Sequence, residues 1–146
     1  MKPRTRARSI ALQALYEIDI ADHPPGEVWE QRVAEANLDD ALAAFSHQIV
    51  FGVLPMAAAL DELIAIHAPE WPLDQVATID RNIIRIALWE FAVYQNTPIK
   101  VAINEAVELA KVFGSESTPR FVNGVLGSLA NLHNEITQSL QRYMEP

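Results

Sequence analysis

Two short stretches place a cation where acidic residues normally collect. Residues 97–100 (TPIK) and 118–121 (TPRF) each put a hydroxyl at an expected N-cap and a proline at the first helical position. Lys100 and Arg120 then fall in the first turn. A helix N-terminus carries roughly half a positive charge, so a cation there weakens an isolated helix by a few tenths of a kcal/mol. Two chemistries are open. Either both residues are solvated surface cations, or two helix ends, a lysine and an arginine converge on an anion such as phosphate. Phe121 stands beside Arg120, at the edge of its helix's apolar stripe, where an aromatic ring can stack on an unpaired base.

A third cationic group lies at the N-terminus. Lys2, Arg4, Arg6 and Arg8 are four of the eleven basic residues, and no acid stands among the first eight positions. That end is +4, the other 138 residues are 7 − 19 = −12, and the whole chain is −8. Such asymmetry marks an arm for nucleic acid or another acidic partner, although a disordered, solubilising terminus has the same composition. Arginines that bind phosphate together with an aromatic that stacks point to single-stranded RNA as the ligand class.

Other chemistries find no footing. With no cysteine there are no disulfides, thiolate metal sites or cysteine nucleophiles, and a reducing cytoplasm fits. The four histidines, 23, 47, 67 and 133, are scattered without metal-ligand spacing; the last three read as core-edge residues. No GxSxG, P-loop or GxGxxG is present, so neither an enzyme nor a cofactor is expected. No apolar run is read as approaching the roughly 20 residues that span a bilayer, so no membrane is expected, and the basic N-terminus lacks the features of a secretory signal.

The elements that must position these groups are helices. About 4–20 form the first, with Ala11, Ala14, Leu15 and Ile18 inward. Leu12 and Tyr16 form a second apolar strip, covered by the chain itself, by a partner protein, or by a second copy in a homodimer. After a turn at 23–26, residues 27–36 form a short helix, and Asn37 or Asp39 caps the next. That one carries apolar residues from Leu42 to Leu63, with a kink or break expected at 51–55 from Gly52 and Pro55. Pro69, Trp71 and Pro72 mark a loop, and Asp74 or Thr78 starts a helix over 79–94, apolar nearly all round and hence central. Its charges, Asp80, Arg81, Arg85 and Glu90, must lie at its ends or be paired. The helix from Thr97 turns Ile99, Ile103, Ala106, Val107 and Ala110 inward and ends at Gly114, expected to be left-handed. A last helix from Pro119 buries Val122, Val125, Leu129, Leu132, Ile136, Leu140 and Tyr143. The class is all-α, a compact bundle of six to seven helices forming one domain over 1–146, with an N-terminal part of about 1–70 and a C-terminal part of about 71–146.

Several runs resemble the NusB family of bacterial transcription antitermination factors. They are Arg6-Ala7-Arg8 with ALQALY (11–16), DRNIIRIALWE (80–90), and above all KVAINEAVELAK (100–111) followed by FVNGVL (121–126). The resemblance covers essentially the whole chain. It implies two helical subdomains and binding to the boxA RNA of ribosomal operon leaders with NusE, the ribosomal protein S10, within the antitermination complex of RNA polymerase. Carried over residue by residue, it implies RNA contacts at Lys2, Arg4, Arg6, Arg8, Lys100, Arg120 and Phe121, and NusE docking at Tyr16 and Asp80. Ser9 and Ser117 depart from the family pattern, which is often acidic at both places. Two other readings remain: a NusB-like domain of the kind fused to RNA methyltransferases, and a helical interaction module that binds no RNA.

Overall fold

The computed structural model describes residues 1–70 and 75–145, so the loop expected at Trp71 and Pro72 and the helix start at Asp74 lie outside the described residues. All regular structure among the described residues is helical, as the apolar spacing requires. The chain divides into two compact units at Pro55/Met56. That point falls inside one long helix, which therefore contributes to both units.

The first unit holds α1 (Pro3–Ala21), α2 (Pro25–Ala36) and the first half of α3 (Asp40–His67). Pro3 and Pro25 open their helices because a first-turn N–H has no intrahelical acceptor to lose. The turn expected at 23–26 therefore shrinks, and Pro25 and Gly26 join α2. Asp22 and Asn37 end α1 and α2 in the left-handed region, at φ 54° and 55°. Asp39 caps α3 as expected, its carboxylate accepting the Leu42 N–H at 2.9 Å.

α3 passes through Gly52 and Pro55 without the expected break. Proline removes one hydrogen bond, and buried Val50, Val53, Ala59 and Leu60 on either side hold the remaining turns. By length and composition α3 could cross a membrane, with a mean hydropathy of 2.0 over 18 residues, which corrects the expectation that no run comes near that size. Much of that apolarity is a core stripe: Phe45, Ile49, Val53, Leu60 and Ile64 are all buried.

The second unit holds the rest of α3, then α4 (Thr78–Trp89), which continues as a π-helical turn over Glu90–Tyr94, α5 (Ile99–Phe113), α6 (Thr118–Ala130) and α7 (His133–Met144). α4 is the centre, buried from Asn82 to Trp89 and packed on α5 and α6. Arg85 and Glu90 are partnered as expected, whereas the Arg81 Nε is buried without a hydrogen bond among the described residues. Arg85 makes a two-point pair with Asp61 at 2.8 and 2.5 Å, and buried Glu90 accepts the Thr97 hydroxyl at 2.9 Å.

The face of α5 is rotated from expectation: Ala102, Ala106, Leu109 and Ala110 are buried, while Ile99, Ile103 and Val107 are half-buried. Small alanines let α5 approach its neighbours closely. The expected single last helix breaks at Asn131-Leu132, where Leu132 leaves helical geometry at φ −109°, ψ 21°. Val122, Val125, Leu129, Ile136 and Leu140 are buried as expected, but Leu132 is half-buried. Tyr143 is exposed and donates to Glu62 at 2.8 Å. His67 and His133 sit half-buried as expected, whereas His47 is exposed, 4.8 Å from the Trp29 ring and 4.4 Å from Phe51.

Candidate nucleic-acid interface

The N-terminal cations are no loose arm. Pro3 begins α1, so Arg4, Arg6 and Arg8 stand on its first turns. Arg4 and Arg8 share a face and lie over the Phe45 ring, at 3.8 and 5.1 Å from its centroid. Arg6 points elsewhere and donates to the carbonyl of Ala36, satisfying an orphan acceptor at the C-terminus of α2. Lys2, Arg4 and Arg6 keep exposed surface, but Arg8 is only 3% exposed. Arg8 is therefore a packed cation of the first unit.

The strip of Leu12 and Tyr16 separates in the same way. Leu12 is fully buried, because α1 has buried residues on nearly every side between Thr5 and Leu15. In this chain Leu12 is a core residue, covered by the chain itself. Tyr16, 38% exposed, and Ile20, 57% exposed, are the large apolar side chains that α1 leaves on its surface.

In the second unit the structure brings Asp80, Arg120 and Phe121 together. They line one groove of about 620 Å³ with Gln75, Val76, Ala77, Ser117 and Gly124. Ser115, Glu116, Ser117 and Arg120 line a second hollow of about 520 Å³. Arg120 is exposed and Phe121 half-buried, its ring a wall of the groove at the edge of the α6 stripe.

The two threonines do not cap their helices. The Thr97 hydroxyl is committed to Glu90, and Pro98 occupies the N-cap of α5. Thr118 lies inside α6, and its hydroxyl donates to the Asp80 carboxylate at 3.1 and 3.2 Å. Gly114 is not left-handed either, with φ −91° and ψ −175°. It is required for space, since a Cβ there would lie 2.4 Å from the Thr118 Cβ.

The two helix starts do not converge on one anion. Lys100 lies at the opening of α5, while Thr118 touches Ser115 just past its far end. At about 1.5 Å per residue, the 15-residue α5 separates them by roughly 20 Å. The start of α6 also has few backbone donors to offer. The Thr118 N–H is bonded to Ser115 and the Phe121 N–H to Ser117, and Pro119 has none. An anion there depends on the Arg120 side chain.

Burial pushes the Asp80 carboxyl above its usual 3.8, with the Thr118 hydroxyl opposing the shift. A raised folded value means that this group favours the fold most below 3.8, and that the advantage is lost as pH rises through the folded value. Asp80→Asn should therefore gain stability relative to wild type as pH rises from about 3.5 towards 7, then level off. Thermal melts across that range check it; a constant difference at every pH would sink it.

The NusB family profile matches residues 5–131. The chain belongs to the NusB family. It is 46% identical over 134 residues to the transcription antitermination protein NusB of Roseiflexus castenholzii, covering 90% of this chain and 94% of that one. Among solved structures it superposes on T. maritima NusB with a TM-score of 0.82 at 29% identity, covering 94% of this chain and 99% of the other. It reaches the same TM-score at 25% identity on a structure of antitermination factors NusB and NusE in complex with dsRNA, over 90% and 98% of the two chains. The all-α fold expected from the sequence is thus the NusB fold. Of the residues that the NusB resemblance nominates, Asp80, Arg120 and Phe121 share a groove. Gly124, which lines the groove with them, and Thr118, which is bonded to Asp80, were not nominated. The signals for them were a threonine-proline start and a glycine one turn past Arg120.

Proposed function

We propose that this chain is a NusB-type transcription antitermination factor. It binds boxA RNA of ribosomal operon leaders together with NusE, and the pair joins elongating RNA polymerase and suppresses premature termination. The role is one of binding, without catalysis, in the cytoplasm. The observation that carries this reading is the groove in which Phe121 and Arg120 stand side by side, a stacking surface next to a phosphate-binding cation. The separation of Lys100 from Arg120 supports a long polyanion over a single phosphate, because only a polymer reaches both. On this reading Lys2, Arg4, Arg6, Lys100, Arg120 and Phe121 contact RNA, while Tyr16 and Asp80 receive NusE. A single strand fits better than a duplex, because Phe121 can stack only on an unpaired base.

Salt titration tests it. With Arg8 buried, the exposed cations in the set are Lys2, Arg4, Arg6, Lys100 and Arg120. Full engagement of these gives a log–log slope of roughly −0.7 × 5, about −3.5, for a single strand. Replacing Lys2, Arg4 and Arg6 by glutamine should reduce this by about 2 while leaving NusE binding intact. Deleting residues 1–8 is a poorer test, since it also removes buried Thr5, Ala7 and Arg8. A slope near zero would leave a protein-interaction module that binds no RNA.

A further inference from the structure

The start of α6 is tied to the start of α4 through one side chain. Thr118 is only 1% exposed. Its hydroxyl donates to the Asp80 carboxylate and accepts the Ser115 N–H at 2.9 Å, so one oxygen holds α4, the α5–α6 loop and α6 together. Gly114 permits that approach by having no side chain. Arg120 and Phe121 follow two and three residues later on the same helix, so the seat of Thr118 fixes where both point into the groove. Asp80 is only half-buried and lines that groove, leaving carboxylate lone pairs for outside donors.

We propose that the Asp80–Thr118 hydrogen bond is the joint through which a protein docked on Asp80 controls the RNA grip of Arg120 and Phe121, with Thr118 the positioning residue. The inference rests on the reading above, in which NusE meets Asp80 and RNA meets α6. A donor from NusE on Asp80 holds the carboxylate ionised and aligned on Thr118, which steadies the opening turn of α6 and tightens RNA binding. By linkage, bound RNA tightens NusE by the same factor.

The test uses the full chain, purified NusE and a boxA oligonucleotide, with the variants Thr118→Val and Thr118→Ser. Valine keeps the shape and removes the hydroxyl, while serine keeps the hydroxyl. In Thr118→Val, amide exchange over residues 114–121 should speed up and RNA affinity of the chain alone should fall by about tenfold. The factor by which NusE raises RNA affinity should drop towards one, so NusE should bind this variant equally tightly with and without RNA. Thr118→Ser should restore all of these. The joint is refuted if exchange over 114–121 is unchanged in the valine variant, or if exchange speeds up while the NusE factor keeps its wild-type value. A wild-type chain that binds no RNA sinks the proposed function instead. The joint is then decided by exchange alone: NusE must protect 114–121 in wild type and fail to do so in Thr118→Val.

Discussion

Replacing Phe121 by alanine is expected to weaken RNA binding by about 1–3 kcal/mol, a loss of roughly five- to 150-fold. The size follows from what a base loses when its aromatic platform goes. Stacking on a ring is worth about that much per base, and every base offers a face, so the loss should hold across sequences. The ring can be removed without unmaking the fold. Val122, Val125 and Leu126 are the buried residues of this part of α6, while Phe121 is a half-buried groove wall. Phe121→Leu keeps apolar contact but loses the stacking face, so it should fall between alanine and wild type. Fluorescence anisotropy with a boxA oligonucleotide gives the affinities, and a thermal melt of each variant checks the fold. An unchanged affinity in Phe121→Ala would make the ring a packing residue and take the stacking argument away.

That Phe121 stands at the margin of its stripe was legible in the sequence, because position on a helix follows from spacing alone. The same holds for the burial of α4, apolar all round, and for the Asp39 cap of α3. What spacing cannot show is which distant residue a side chain reaches. Arg8 shares a face with Arg4, as counting residues predicts, but the Phe45 ring beneath both is 37 residues from Arg8, and spacing could not show that Arg8 packs while Arg4 stays exposed. Thr118 reads as a cap because threonine before proline usually is one. In the structure its hydroxyl donates to Asp80, 38 residues away, and accepts from the Ser115 N–H in the preceding loop. Leu12 fails in the opposite sense. A second apolar strip indicates a second covering surface, and the sequence leaves open whether that surface is another protein or the same chain.

The other large effect concerns the Arg85–Asp61 pair of the second unit rather than the groove. Asp61→Ala is expected to cost about 3 kcal/mol of stability, because it takes the carboxylate from a guanidinium that is already desolvated. Arg85 is 8% exposed and sits in the buried middle of α4, bonded to Asp61 through Nε and Nη2. Its contact to Asn82 Oδ1, at 3.3 Å, is longer and uncharged and cannot replace the carboxylate. In a chain of this length 3 kcal/mol corresponds to a drop in melting temperature of roughly 10 °C, readable by circular dichroism. The cost measures the loss of a charged acceptor at a desolvated guanidinium more than the worth of the pair. The double change Arg85→Met with Asp61→Leu should therefore recover most of the loss, since an apolar pair of similar volume pays no desolvation. If the double variant melts as low as Asp61→Ala, the pair is positioning α3 against α4 within the second unit and is no neutralised liability. If Asp61→Ala melts like wild type, water reaches Arg85 and the site is wetter than its exposure indicates.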